Sequence, residues 1–405
     1  MSINIANINH FFKQCGSYRS NKASHITGSI ARTLLALTFL FSGFVKCVDP
    51  LGTVYKVEDY LTAMGGFMAD MIPAAGVFAV LLIVAEWILG WAMLFNIRTK
   101  WTVWGALAFM LVMTPITLWI ALTNAVEDCG CFGDAIKLSN WQTFYKNIVL
   151  LLLVLILLFC KKGIPQLFSW WAELTLFLIG LGISAGIMGY GYTHLPIIDF
   201  RPYKVGNNII ELMENNVPPV VKTYCLFEKD GEQKEFLYHE RPDLNGDSTW
   251  TFISQETRIL QEGKEPTIMD FRLERILWDS DSDDESPVPE RYIYLDDDLT
   301  YDVLESEDPV TLIVMYDLSK RDRKQAARAA QLYKDIQEQG GICFFLTGSG
   351  EEDLFAFAEE TGIDINTGSY LYMDATPIKT IVRANPGVVV LQNGVVKEKH
   401  NMKQL

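Results

Sequence analysis

The chain has 405 residues, 50% of them hydrophobic, and the apolar half is bunched toward the N-terminus, which excludes a single soluble domain. Up to residue 193 there are 12 Lys+Arg against 9 Asp+Glu, and beyond it 22 against 40, so the formal charge splits as +3 and −18. The acidic C-terminal half argues against nucleic acid as a partner, since that binding depends on neutralising phosphates.

Residues 1–26 are a polar leader carrying Lys13, Arg19 and Lys22, expected to form a loose cytoplasmic tail. The apolar run behind it is too long for a cleaved signal peptide, and no small-x-small site follows, so it is expected to remain as a membrane span. Five apolar stretches follow one another at 27–47, 73–97, 101–123, 146–160 and 170–192. Four contain or approach the roughly 20 residues that cross a ~30 Å hydrocarbon core, and the fourth is shorter but wholly apolar in its interior.

Arg98 and Lys100 join the second and third spans; Lys161 and Lys162 join the fourth and fifth. The positive-inside rule puts these and the leader on the cytoplasmic side, with 48–72, 124–145 and everything after 193 outside. The expected setting is a bacterial inner membrane with a periplasmic C-terminal region.

The first span ends at Asp49-Pro50, a stop signal. Beyond it Val54, Val57, Tyr60, Leu61 and Met64 fall at helical spacing and predict an amphipathic helix on the membrane or over the bundle. Lys46 is expected to snorkel outward. Glu86 lies in mid-span, where a buried carboxylate is costly and should face the bundle interior. It either carries a proton or acts as protonated interhelical glue, with Ser42, Thr114, Thr117 or a bound ligand as candidate partners. Pro115 interrupts the third span, where neighbouring helices can satisfy a released carbonyl.

The loop after the third span contains Cys129-Gly130-Cys131-Phe132-Gly133-Asp134. Two thiols spaced i, i+2 beside glycine are rarely needed for packing. On the outer side disulfides persist, and a bridge over so short a spacing would be strained and exchangeable. Cys47 falls at the outer end of the first span, so all three thiols are expected to meet at one bundle mouth. An exchanging thiol pair and a structural bridge from Cys47 to the loop both remain open. A metal site is the weakest reading, for want of a nearby His and of four donors.

The fifth span, with its flanks, occupies 161–195, and 196–265 reads as a β-rich connector with strands such as 220–227 and 236–238. The acidic run 279–285 lacks the glycine a calcium loop needs and reads as a solvated loop. From Pro309 the pattern is β-α-β-α-β-β. Strands are predicted at 311–316, 342–347, 370–373, 387–391 and 395–399, helices at 320–337 and 353–360, and a hairpin turn at Asn393-Gly394.

This order resembles the thioredoxin-like fold. Pro386, standing before Gly387-Val388-Val389-Val390-Leu391 and the Asn393-Gly394 turn, resembles that family's cis-proline and is the cis-Pro candidate. Residues 267–273 resemble the lead-in strand of membrane-anchored members. Redox activity in that family needs Cys-x-x-Cys where the first central strand meets its helix. Here Tyr316-Asp317-Leu318-Ser319-Lys320-Arg321 stands instead, so the resemblance implies a non-catalytic binding domain over 266–405.

Residues 27–160 resemble the DoxX-like membrane proteins, in particular the MauE (methylamine utilisation) group. The residues that carry this are Ser42-Gly43-Phe44-x-Lys46, Asp49-Pro50, Ala85-Glu86-x-x-x-Gly90 and Cys129-Gly130-Cys131-Phe132-Gly133. The resemblance implies a four-helix membrane bundle. The MauE group is associated with maturation of a disulfide-rich periplasmic dehydrogenase subunit, and DoxX with thiosulfate:quinone oxidoreduction. The fifth span and the C-terminal domain depart from both patterns, so neither substrate carries over.

The expected fold is therefore an all-α membrane four-helix bundle plus a fifth transmembrane helix, followed by a soluble α/β thioredoxin-like domain. The expected function is thiol–disulfide exchange centred on Cys129 and Cys131. Cys47 is the candidate resolving thiol, Glu86 the proton acceptor, and a quinone in the bundle the candidate terminal acceptor. The partners would be the lipid bilayer and an extracytoplasmic client protein. Two other readings compete: a non-enzymatic assembly scaffold, and a transporter or sensor using Glu86, against which the lack of repeat symmetry argues.

Overall fold

The computed structural model describes residues 22–126, 128–160, 168–242, 249–280 and 291–405. The expectations for most of the leader, for Lys161 and Lys162, and for the acidic run beyond Ser280 lie outside the described residues. The chain divides into two compact units: the first comprises Met1–Arg201 and Lys403–Leu405, the second Pro202–Met402.

The first unit is helical. Helix α1 (Lys22–Val48) is followed by α2 (Pro50–Met64) and a 3-10 segment at Gly66–Ala74. Then come α3 (Ala75–Leu94), α4 (Thr99–Thr123), α5 (Asn140–Cys160) and α6 (Trp170–Thr193). Among the described residues five helices are long and apolar enough to cross a membrane, which makes this a multi-pass membrane protein. The fourth span is longer than its apolar run suggested, because the helix starts at Asn140 rather than Lys146. Helix α2 starts where the sequence puts it: the Asp49 carboxylate accepts from Gly52 N at 3.0 Å, and Pro50 opens the first turn.

Helix α1 packs between α3 and α5, and α4 closes the ring against both. Leu35, Phe39, Met93, Val103, Met110, Val154 and Leu157 fill the core. Two glycines set the α1–α3 spacing. A Cβ on Gly43 would lie 2.7 Å from the backbone N of Trp87, and one on Gly90 2.5 Å from that of Leu40. The two backbones therefore nearly touch, and only residues without a side chain permit it. Helix α6 docks on the same pair. Trp87 Nε1 donates to Gly180 O at 2.8 Å and Trp91 Nε1 to Leu176 O at 2.9 Å, leaving no room for a side chain at Gly180.

The second unit opens with the short helix α7 (Ile209–Glu214). An antiparallel sheet of order β2-β1-β3 follows, made of β1 (Val220–Lys229), β2 (Glu232–Leu237) and β3 (Thr251–Gln261). Asp230 and Gly231, both at positive φ (52° and 83°), turn β1 into β2. The rest is β4 (Glu274–Ser280), β5 (Arg291–Asp298), α8 (Thr300–Leu304), β6 (Val310–Val314), α9 (Arg323–Glu338), β7 (Ile342–Thr347), α10 (Glu351–Thr361), β8 (Tyr370–Tyr372), α11 (Ala375–Ile381), β9 (Gly387–Gln392) and β10 (Val395–Asn401). They form one seven-stranded sheet of order β10-β9-β6-β7-β8-β4-β5. Strands β6, β7 and β8 are parallel, β9 runs against β6 and β10 against β9. Helices α9 and α10 pack Ala326, Ala329, Leu354 and Phe357 onto Ile313, Phe345 and Tyr370.

The strand expected at 267–273 is not formed. Leu273 N bonds the Thr300 hydroxyl and its carbonyl takes Leu299 N, so that stretch runs as irregular chain into β4. The Asn385–Pro386 peptide is cis, and Asn393 and Gly394 both turn at positive φ (49° and 72°).

Candidate functional site

The close α1–α3 contact brings three polar side chains together inside the bundle. Ser42 and Lys46 are one helical turn apart, so they share the face of α1 that meets Glu86 of α3. Lys46 Nζ lies 2.6 Å from Glu86 Oε2 and 3.0 Å from Ser42 Oγ, and Ser42 Oγ lies 2.7 Å from the same carboxylate oxygen. Lys46 is only 4% exposed and Glu86 5%, so Lys46 does not snorkel to the surface. The reason is electrostatic: an opposite charge lies within contact distance inside the bundle, whereas the sequence alone offered Lys46 only water to reach for. Of the candidate partners foreseen for Glu86, Ser42 meets it. Thr117 instead accepts from Asn147 Nδ2 at 3.1 Å, and Thr114 Oγ1 is buried with no hydrogen-bond partner among the described residues.

This cluster holds the cysteine loop. Lys46 Nζ donates to Cys131 O at 2.9 Å, completing its three donors, and the Ser42 hydroxyl reaches the same carbonyl at 2.5 Å. The hydroxyl has one hydrogen, so it serves the carbonyl or the carboxylate at any moment. On the far side of the loop the Tyr60 hydroxyl of α2 donates to Cys129 O, and Lys56 pairs with Asp128 at 2.9 Å. Burial pushes the Tyr60 phenol up, which keeps it a donor. Both glycines of the motif sit at positive φ, Gly130 at 59° and Gly133 at 51°. A Cβ on Gly133 would press on Val45 at 2.9 Å and one on Gly130 on Lys56 at 3.1 Å, so the loop lies flat on α1 and α2. Phe132 packs against Phe41 with the rings tilted by 59° and carries the Lys146 ammonium 4.5 Å above its ring.

The two loop sulfurs are unbonded and 3.1 Å apart. Cys129 is 7% exposed, while Cys131 is half-buried. The environment divides their acidities. The thiol of Cys129 donates toward Cys131 and the Lys146 and Lys46 ammonium groups lie nearby, against the pull of burial and of Glu86; the balance lowers Cys131 to about 6. The same contact, then burial, pushes Cys129 up. Cys131 is the more acidic thiol of the pair.

Cys47 is fully buried in an apolar cluster with Ile83 and Trp87 of α3 and Met188 of α6. Cys225 and Cys343 are buried in β1 and β7, and the latter thiol is pushed up by burial to about 12. Sequence reasoning did not find Tyr60, Lys56 or Lys146 as parts of the site; their only signal was position in the outer segments. Pro386 lies in the second unit, one residue before β9.

Beside Cys131 runs a narrow crevice lined by Ser42, Glu86, Met110, Phe132, Lys146 and Asn147. Its centre has room for little more than a water molecule. A quinone ring does not fit there. Among the described residues no group of three or more His, Cys, Asp or Glu side chains is placed to hold a metal ion.

Fold and site define a multi-pass membrane protein with a thiol loop seated on its helical bundle, followed by a sheet-rich unit. Residues 24–160 match the family model of the methylamine utilisation protein MauE, so over this membrane part the chain is similar to that family. Residues 222–262, which hold most of the three-stranded sheet, match a domain of unknown function (DUF8463). No curated protein and no solved structure matches the chain.

Proposed function

We propose that this chain is a membrane-embedded thiol–disulfide exchange protein that supports the redox state or maturation of extracytoplasmic proteins through Cys129 and Cys131. The observation that carries this reading is the 3.1 Å approach of two unbonded sulfurs in a loop whose backbone is pinned from both sides. A packing role needs neither the second thiol nor the cations beside it. The resemblance to MauE adds an accessory role in maturing a secreted, disulfide-containing enzyme. The resemblance to DoxX adds redox chemistry at the membrane.

The assigned setting is a bacterial inner membrane with the thiol loop and the second unit on the periplasmic side, supported by Arg98 and Lys100 in the α3–α4 turn. We read the second unit as thioredoxin-like. The order β10-β9-β6-β7, with α9 and α10 crossing between parallel strands, supports that reading. No cysteine stands where β6 meets α9, so its role is to hold a client rather than to exchange with it. Cys47, sealed in its apolar cluster, takes no part in the exchange.

The test is thiol trapping in membranes with the full-length chain. Replacing one loop cysteine by Ser, and in a second variant the other, should leave in at least one of the two a mixed disulfide with an extracytoplasmic protein that reductant releases. If both variants trap nothing and only lower the amount of protein, the loop thiols are structural, and the chain is an assembly scaffold.

A further inference from the structure

Two sulfurs share the loop and only one can attack first, and beside them the bundle keeps an ion pair buried. We propose that Cys131 is the attacking sulfur and Cys129 the resolving one, and that the buried Lys46–Glu86 pair with Ser42 is a positioning device that aims Cys131. This rests on the exchange reading above and deepens it.

Three observations carry it. Cys131 is half-buried and borders the crevice, whereas Cys129 is almost closed off, its carbonyl held by Tyr60. The anchors on the Cys131 carbonyl are Lys46 and Ser42, so the ammonium paired with Glu86 also fixes the reactive residue's backbone. Charged groups face Cys131 from α1 (Lys46), α3 (Glu86) and α5 (Lys146), and Cys129 from within the loop. Tyr60 and Lys56 of α2 engage Cys129 and Asp128, and α4 offers the crevice only apolar side chains. Two cations against one anion favour a thiolate at Cys131. Glu86, engaged by both Lys46 and Ser42, fixes the two donors that hold the Cys131 carbonyl.

The step balances without another reagent. The Cys131 thiolate attacks one sulfur of a client disulfide; a Cys131–client bond forms, and the other client sulfur leaves as thiolate and takes a proton from water. Cys129 then loses its proton to solvent and attacks Cys131. The Cys129–Cys131 bond forms and the second client thiolate leaves. The client gains two electrons and the loop pair loses them. A client dithiol drives the reverse.

Alkylation of the full-length protein by iodoacetamide, resolved to single cysteines by fragmentation mass spectrometry, tests the assignment without a client. Cys131 should react about tenfold faster than Cys129 at neutral pH, with a rate that levels off roughly above pH 7. Lys46→Met combined with Glu86→Leu removes both charges and leaves no unpaired one, so the bundle is expected to assemble. In that double variant the net charge facing Cys131 is unchanged, but its carbonyl loses the Lys46 anchor and the contact with Cys129 slackens, so the Cys131 rate should fall about tenfold and keep rising toward about pH 9. Ser42→Ala, which removes one carbonyl donor and no charge, should lower the rate in the same direction and serves if the double variant does not accumulate.

Faster labelling of Cys129, or an unchanged Cys131 rate and pH profile in both variants, overturns the proposal and leaves the ion pair as interhelical glue. Client trapping through Cys129 alone overturns it while the exchange reading survives. A fast, pair-dependent Cys131 that traps no client supports it while the exchange reading falls.

Discussion

Gly133 shows how a single residue can decide the geometry of a reactive loop. Its φ of 51° is left-handed and its missing Cβ faces Val45 at 2.9 Å, so a side chain there is strained twice. Gly133→Ala is expected to lose about 1–2 kcal/mol from the left-handed backbone alone, read as a drop in melting temperature of the full-length protein in nanodiscs. Gly182→Ala, in the interior of α6 with open space around its Cα, should cost nothing and is the matched control. The ion pair gives the opposite lesson. Glu86→Leu alone strands a buried ammonium and is expected to cost about 3–5 kcal/mol, while the neutral double replacement recovers most of that. The same melting measurement, run on the single and the double variant, checks both. Glu86 could be singled out from the sequence because a carboxylate in an apolar run needs a partner. That Lys46 is the partner could not, because Lys46 stands at a span end where water is an equally good neighbour on paper.

At the scale of elements, the α1–α3 contact governs the site. Gly43 and Gly90 meet the opposite backbone rather than a flexible side chain, so any Cβ must push the helices apart. Gly90→Ala should therefore cost about 1–3 kcal/mol by overpacking. It should also loosen the Lys46–Glu86 contact, seen as slower Cys131 alkylation with the loop sequence untouched. The helices of this unit were legible from hydropathy, and α2 from its spacing and its Asp-Pro start. Their neighbours were not, since apolar surfaces in a bilayer carry no label for one another. The glycines, polar contacts such as Lys46–Glu86 and Asn147–Thr117, and the two tryptophans that bond α6 reveal which faces meet. In the second unit the alternation of apolar strands with α9 and α10 was readable because each segment buries one face. Strand β4 was expected a few residues early, since 267–273 is equally apolar and only the Thr300 and Leu299 bonds keep Leu273 out of the sheet.

Across the whole molecule, two units of contrasting charge and packing share one chain, and their stabilities should be separable. Phe345 is buried in the second unit's core between Tyr333, Phe357 and Tyr370. Phe345→Ala is expected to cost that unit about 3–5 kcal/mol. Limited proteolysis should then cut within Pro202–Met402 far faster, while Cys131 alkylation in the membrane unit stays unchanged; a parallel change in both would show that the units are coupled. The sequence by itself determined what depends on local composition: five apolar helices, the acidic sheet-rich half, the turn glycines and the presence of two thiols in one short loop. Folding in three dimensions was needed to show that Cys47 is sealed in an apolar cluster, that Lys46 is buried, and that the carbonyl of Cys131 is its ligand. Such pairings are set by helix rotation and close approach, which depend on residues far apart along the chain and leave no periodic trace in it.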